Sequence, residues 1–213
     1  MNVKITKVVP RPRQARAVET IEAAIDATNA ALKVGGEGAV RIQEISEKTG
    51  ISVGSLYHHF GDREGLIRAT YVHNFERTTQ ADVEQIRSLV QDSYSTEELR
   101  NHTPDFEKFL SQVHPRESAL ERATMLGQIA SRPLLREALA EAQHRVTNSL
   151  AEVMQLLRDR GLLKEHVTPR TAAILLQVLL FGRVIAELDS DPVSDEEWTG
   201  TVLSALGGLI QFK

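Results

Sequence analysis

The stretch that decides the fold is Gly38–Leu66, GAVRIQEISEKTGISVGSLYHHFGDREGL. It predicts a short amphipathic helix over about 41–49, with Ile42 and Ile45 inward, then a turn at Gly50. A positive φ costs glycine least, so Gly50 suits that turn. A second short helix follows over 52–59, with Ser52 as a good N-cap. Leu56 and Phe60 lie four residues apart and point back to a core. Gly61-Asp62 breaks the chain again, and Asp62 caps a further helix over about 63–79. This is the spacing of a helix-turn-helix, in which one helix packs and the next is displayed.

A displayed helix can grip DNA only with the side chains it leaves outside. Here these are Ser52, Val53, Ser55, Tyr57, His58 and His59. Gly54 has no side chain, so backbone can approach a phosphate or base edge. Ser55 and His58 suit base edges, and Val53 suits a thymine methyl. Tyr57 and His59 suit phosphates, with Arg63 as an added cation.

The run Ile51, Ser52, Gly54, Leu56, Tyr57, His59, Phe60, then Arg63 and Leu66, closely resembles the DNA-binding domain of TetR-family transcriptional regulators. The motif covers about 50 residues. Beyond it the likeness is architectural: a small N-terminal DNA domain followed by a larger helical one. The chain departs from the family in two places. Arg41 stands where a Thr or Ser often caps the first helix of the motif, so a cap of ~1 kcal/mol is lost or supplied elsewhere. Arg63 replaces the commoner lysine and keeps its charge. The resemblance implies that Gln43 reads bases, since glutamine can pair bidentately with adenine, and that Arg41 contacts phosphate. It also implies a homodimer, a small-molecule effector, binding to a palindromic operator, and repression rather than activation.

Outward from the motif, Val18, Ile21, Ala24, Ile25, Thr28 and Leu32 recur at three- and four-residue steps, predicting a helix over 13–33. Residues 1–12 hold Pro10 and Pro12 and read as a basic arm, either solvated or DNA-contacting. Residues 13–79 form the predicted helix-turn-helix domain, and 80–213 a helical effector-binding and dimerisation domain. Past residue 80 the pattern is helical throughout, with segments at 81–90 and 96–110 and a long stretch over 117–158 broken or kinked at Pro133. Thr168-Pro169 opens another helix, running to about Leu188. Ser194 and Glu197 have capping-box spacing, opening a last helix to about Ile210. The fold class is all-α, with about nine helices: a three-helix head and a larger bundle.

Composition narrows the function. The net charge is −4, yet residues 1–80 carry eleven basic and nine acidic residues against 14 and 20 in the remainder. A basic head on an acidic body fits nucleic-acid binding better than the total does. Cysteine is absent, which removes disulfides and thiolate metal sites. No apolar run is read as reaching the ~18 residues of a membrane span, and the cytoplasm is the expected location. Glu141 and His144 have di-iron spacing without a second copy, and no hydrolase or nucleotide-binding motif occurs, so neither enzyme, metal nor cofactor is expected.

Pocket candidates among the middle helices are Tyr71, Phe75, Phe106, Phe109, Leu110, Met125, Ile129 and Gln177. For the dimer they are Leu175, Leu179, Gly182, Leu203, Leu206 and Ile210 on the last two helices. The rival reading is a helical dimeric interaction protein without specific DNA binding. The basic arm and the intact reading helix speak against it.

Overall fold

The computed structural model describes residues 12–112, 127 and 129–211. The arm (apart from Pro12) and the pocket candidate Met125 lie outside them. Among the described residues there are nine α-helices: α1 (Pro12–Gly35), α2 (Ile42–Thr49), α3 (Val53–Phe60), α4 (Arg63–Gln91), α5 (Thr96–Asn101), α6 (Thr103–Gln112), α7 (Pro133–Asp159), α8 (Pro169–Leu188) and α9 (Asp195–Gly207). The one β-type pairing described is an isolated bridge between Leu163 and Ile210. The chain divides into two compact units between Asn74 and Phe75, inside α4.

The first unit is built on Ala24, Ala27, Ile42, Ile45, Leu56 and Leu66, with Ile51, Val53 and Phe60 packed against them. Leu56 and Leu66 are essentially fully buried. Each such side chain contributes roughly 1.5–3 kcal/mol through removal of apolar surface from water. Thr28 and Thr70 are also buried, and each hydroxyl donates to the carbonyl four residues back, on Ala24 and Leu66. Such bonding keeps the polar groups satisfied inside an apolar core.

Two devices close the helix ends. Gly50 sits at φ 72°, in the left-handed region, and its N–H donates to the Ser46 carbonyl. At Gly61 φ is 82°, and Asp62 Oδ1 then accepts from the Gly65 N–H at 2.6 Å. Gly65 presses directly on the preceding chain: a Cβ there would overlap the Phe60 carbonyl oxygen and sit 3.0 Å from its carbon.

In the second unit α7 and α8 pack along each other around Val83, Ile86, Phe109, Leu150, Val153 and Leu176. Arg160 closes the end of α4. Its guanidinium donates to the carbonyls of Val90, Gln91 and Ser93 at 2.7–2.8 Å and lies 4.2 Å over the Tyr94 ring.

Several boundaries differ from the sequence reading. The helices expected at 63–79 and 81–90 are the single α4, because Thr79-Gln80-Ala81-Asp82 contains no breaker and the Thr79 hydroxyl folds back on the Phe75 carbonyl. The helix expected at 96–110 is instead split at His102, since Pro104 has no N–H with which to continue the α5 ladder. Pro133 is a break: it occupies the first turn of α7. The last helix ends at Gly207, and the chain turns back so that Leu209 accepts from Lys164 N–H and Gln211 N–H donates to Leu162. The Thr168 cap and the Ser194–Glu197 capping box form as expected. The Ser194 hydroxyl, then its backbone N–H, hold the Glu197 carboxyl below the ordinary carboxylate range. That cap is present at neutral pH and is lost as acid protonates Glu197. Length and composition do allow one segment, Pro169–Ala186 in α8, to cross a membrane, because a single Gln177 and few charges interrupt it. Only 22% of it is buried within the chain, although Ala172, Ala173 and Leu176 sit in the core.

The contact at Gly65 generates a test. Gly65→Ala is expected to destabilise the first unit by about 2 kcal/mol, the scale of an overpacked core. Thermal melts followed by circular dichroism read it out. A melt equal to that of the parent chain would show that the α3–α4 corner can open freely.

Candidate nucleic-acid interface

The helix-turn-helix is stapled by side chains as well as by glycine. The Ser46 hydroxyl donates to the Ile51 carbonyl at 2.7 Å, and the Thr49 hydroxyl donates to Ile45 and accepts from Ile51 N–H. The sequence reading overlooked both residues. Their polar side chains on a short helix looked like solvent-facing groups, and only the turn brings their partners within reach. At the start of α3 the Ser52 hydroxyl accepts from the Ser55 N–H at 3.2 Å. This anchors the displayed helix and leaves Ser52 itself exposed.

The outward face of α3 is largely as expected. Gly54, Tyr57, His58 and His59 are exposed, with Tyr57 at 48%, and Ser55 is half-buried. A Cβ at Gly54 would meet nothing within 4 Å, so this face is open over the backbone itself. The His58 and His59 rings meet edge-on at 5.4 Å, and His59 continues onto Phe60 at 6.3 Å. Val53 differs from expectation. It is half-buried and packed on the core, because its position one turn before Leu56 turns it inward.

On α2, Gln43 and Arg41 are both exposed. Arg41 is the N-cap residue and provides no side-chain cap. Its guanidinium instead meets Glu44 at 3.1 Å, with both side chains more than half exposed. Such a pair contributes about 0–1 kcal/mol, so a phosphate can displace Glu44 at little cost.

Arg63 is employed differently from the expectation. Its Nε donates to the Val40 carbonyl at 2.7 Å, Nη2 to the Glu37 carbonyl, and Nη1 meets Glu64 at 2.9 Å. It thereby ties the α1–α2 connection to the start of α4, and its side chain stays 39% exposed. Tyr71 works beside it, donating to Glu37 Oε1 at 2.9 Å. Tyr71 is therefore tied to the head, and it is not among the residues lining the cavities described below.

The remaining pocket candidates separate. Phe106 lines a partly open cavity of about 190 Å³ in the second unit, lined by residues of α4–α9 and the returning chain end. Phe75 and Gln177 line a smaller one of about 90 Å³, where Gln177 bonds to Gln143 and Thr147. Phe109 is solid core and Leu110 packs against it, while Ile129 lies in a short 3₁₀ turn. The dimer candidates separate too. Leu203, Leu206 and Ile210 line the larger cavity, because the chain end folds inward over it. Leu175 is exposed, Leu179 half-buried, and Gly182 faces the Trp198 ring, which a Cβ would meet at 3.5 Å. Among the described residues no group of three or more His, Cys, Asp or Glu is placed to hold a metal ion.

Residues 24–70 match the family model described as bacterial regulatory proteins, tetR family. The head is a TetR-family DNA-binding domain. The match spans the end of α1 through the first part of α4, the same elements that build and display α3. Over a longer stretch the chain is 25% identical to the HTH-type transcriptional regulator UidR of Escherichia coli (strain K12), across 85% of this chain and 90% of that one. Its fold resembles that of a protein assigned to the TetR-family transcriptional regulators from Rhodococcus sp., with TM-score 0.67, 21% identity, and coverage of 91% and 100%. It also resembles a transcriptional regulator from Saccharomonospora viridis solved in complex with choline, with TM-score 0.61, 13% identity, and coverage of 92% and 100%. The TetR-type head makes the chain a DNA-binding transcriptional regulator.

The different employment of Tyr57 and Arg63 predicts different mutant behaviour. Tyr57→Ala is expected to weaken DNA binding while leaving the melting temperature within about 2 °C, as for a surface change. Arg63→Ala is expected to lower both, since two backbone carbonyls lose their donor. Anisotropy titrations paired with thermal melts separate the two; a melt unchanged by Arg63→Ala would show the clamp to be idle.

Proposed function

We propose that the chain is a homodimeric repressor that binds a palindromic operator and releases it when a small molecule occupies the second unit. The observation that carries this reading is the open face of α3. Gly54, Tyr57, His58 and His59 stand outside a head whose interior is fully packed. Such an exposed surface fits a DNA groove. Gln43 and Arg41 extend it on α2, and Ser55 adds a hydroxyl. Base contacts select the sequence, and phosphate contacts make the affinity fall with salt.

A short reading helix gains specificity by acting in pairs, about 34 Å apart on DNA. The apolar face of α8 supports a dimer. Ile174, Val178, Ile185 and Leu188 recur along one side of that helix and are 43–74% exposed. Beside them α9 exposes Gly200, Thr201, Ser204, Ala205 and Gly208, small enough for close helix approach. Two copies of this pair form a two-fold, four-helix interface in which each chain covers the other. This also accounts for the membrane-like composition of α8 without a membrane, and a cytoplasmic location follows from DNA as the partner. The apolar cavity of about 190 Å³ is the effector site under this reading, and the neighbour crystallised with choline supports ligand binding on this fold. Because α4 runs through the division between the units, it is the covalent element through which occupancy can reach the head. Repression, in preference to activation, is taken from the family resemblance.

Two experiments test this. Fluorescence anisotropy against DNA from the chain's own upstream region is expected to give at least tenfold tighter binding than scrambled DNA at ~150 mM salt. Equal affinity would leave a non-specific binder. Val178→Arg combined with Ile185→Glu is expected to yield a folded monomer by analytical ultracentrifugation, because burying unpaired charge at an interface is costly. An unchanged dimer would move the interface elsewhere.

A further inference from the structure

We propose that the apolar cavity lined by Phe106 takes a compact, uncharged, apolar effector, a single ring with a short substituent or a chain of roughly six to eight carbons. This deepens the effector reading above and rests on it. The cavity of about 190 Å³ is walled by Leu89, Leu99, Met154, Leu176, Leu206 and Leu209. None of these offers a strong hydrogen bond. A void with the same kind of lining and ~150 Å³ stays dry and takes benzene, so the volume and chemistry here suit an occupant slightly larger.

Among the described residues the polar lining comes from one stretch, α5 and the elbow that follows it, with Thr96 at the start of the helix and Arg100, His102 and Thr103 at its end. His102 already faces Asp105, with Nδ1 3.5 Å from the carboxylate. Arg100 is an exposed rim residue, where water screens any ion pair. A charged headgroup therefore finds one screened cation and one nearby carboxylate, while its tail would drag the charge toward a hydrocarbon wall. A hydroxyl can satisfy itself on Thr96 or Thr103 and leave the rest of the molecule among leucines. The elbow itself exists because Pro104 interrupts the helix there.

The test compares one tail with three headgroups: 1-octanol, octanoate and octylammonium, each titrated into the full chain at neutral pH without DNA. The expected result is that 1-octanol raises the melting temperature in proportion to its occupancy and binds at least tenfold tighter than either ion. Binding of octanoate or octylammonium equal to or tighter than that of the alcohol overturns the uncharged class, as does the absence of any alcohol binding. Location is read from Met154, one of three methionines in the chain. Its labelled methyl resonance is expected to shift and saturate at the concentration that saturates the thermal shift; alcohol binding with that resonance unmoved overturns the site. The cavity-filling Leu99→Phe and Leu206→Phe are expected to weaken alcohol binding at least tenfold while the chain stays folded. Operator binding is measured separately. Alcohol binding that leaves operator affinity unchanged sinks the proposed release mechanism and keeps the ligand class, whereas intact operator binding with no alcohol binding does the reverse.

Discussion

The start of α4 is the point on which the head depends. Within five residues the chain turns through Gly61, caps the helix with Asp62, ties down the α1–α2 connection with Arg63, and brings Gly65 against the Phe60 carbonyl. Each of these fixes α3 at its C-terminal end, while Ser46, Thr49 and Ser52 fix its N-terminal end. A helix of only eight residues is marginal in water. It can present a defined face because both of its ends are held by groups outside it. The cost of ordering the exposed side chains is then met by burial of Leu56 and Leu66 beneath them.

That arrangement separates two kinds of side chain on one short helix. Leu56 is buried, and Val53 and Phe60 lean onto the same core, so their identity is set by packing. Tyr57, His58 and His59 are exposed, so their identity is free to be set by a partner. Arg63 shows that charge alone does not assign a residue to the second class. A guanidinium has five donors, and here backbone carbonyls of the head take part of that capacity. The second unit has the same duality on a larger scale. One side of α8 is core, and the opposite side is apolar and exposed.

Most of the head was legible from its residues, because its signals are local. Glycines at turns, Ser52 and Asp62 at caps (as Thr168 and Ser194 are in the second unit), and apolar residues at helical spacing act over three or four positions and need no knowledge of the fold. Expectations failed where the deciding partner was distant or absent from the local pattern. The split at His102 hinged on one proline whose effect falls on the preceding turn. Residues such as Tyr71, Phe106 and Phe109 are all aromatic at plausible helical positions, yet one bonds within the head, one lines a cavity and one is solid core.

The sequence by itself determined the all-α class, the helix-turn-helix and the outward character of Tyr57, His58 and His59, since periodicity and turn chemistry are short-range properties. Only the tertiary structure decided what Arg63 holds, why residue 65 is glycine, and which face of the last helices is left bare. These depend on groups brought close by packing, from five positions away for Gly65 to 26 for Arg63, and no spacing rule along the chain reports such proximity.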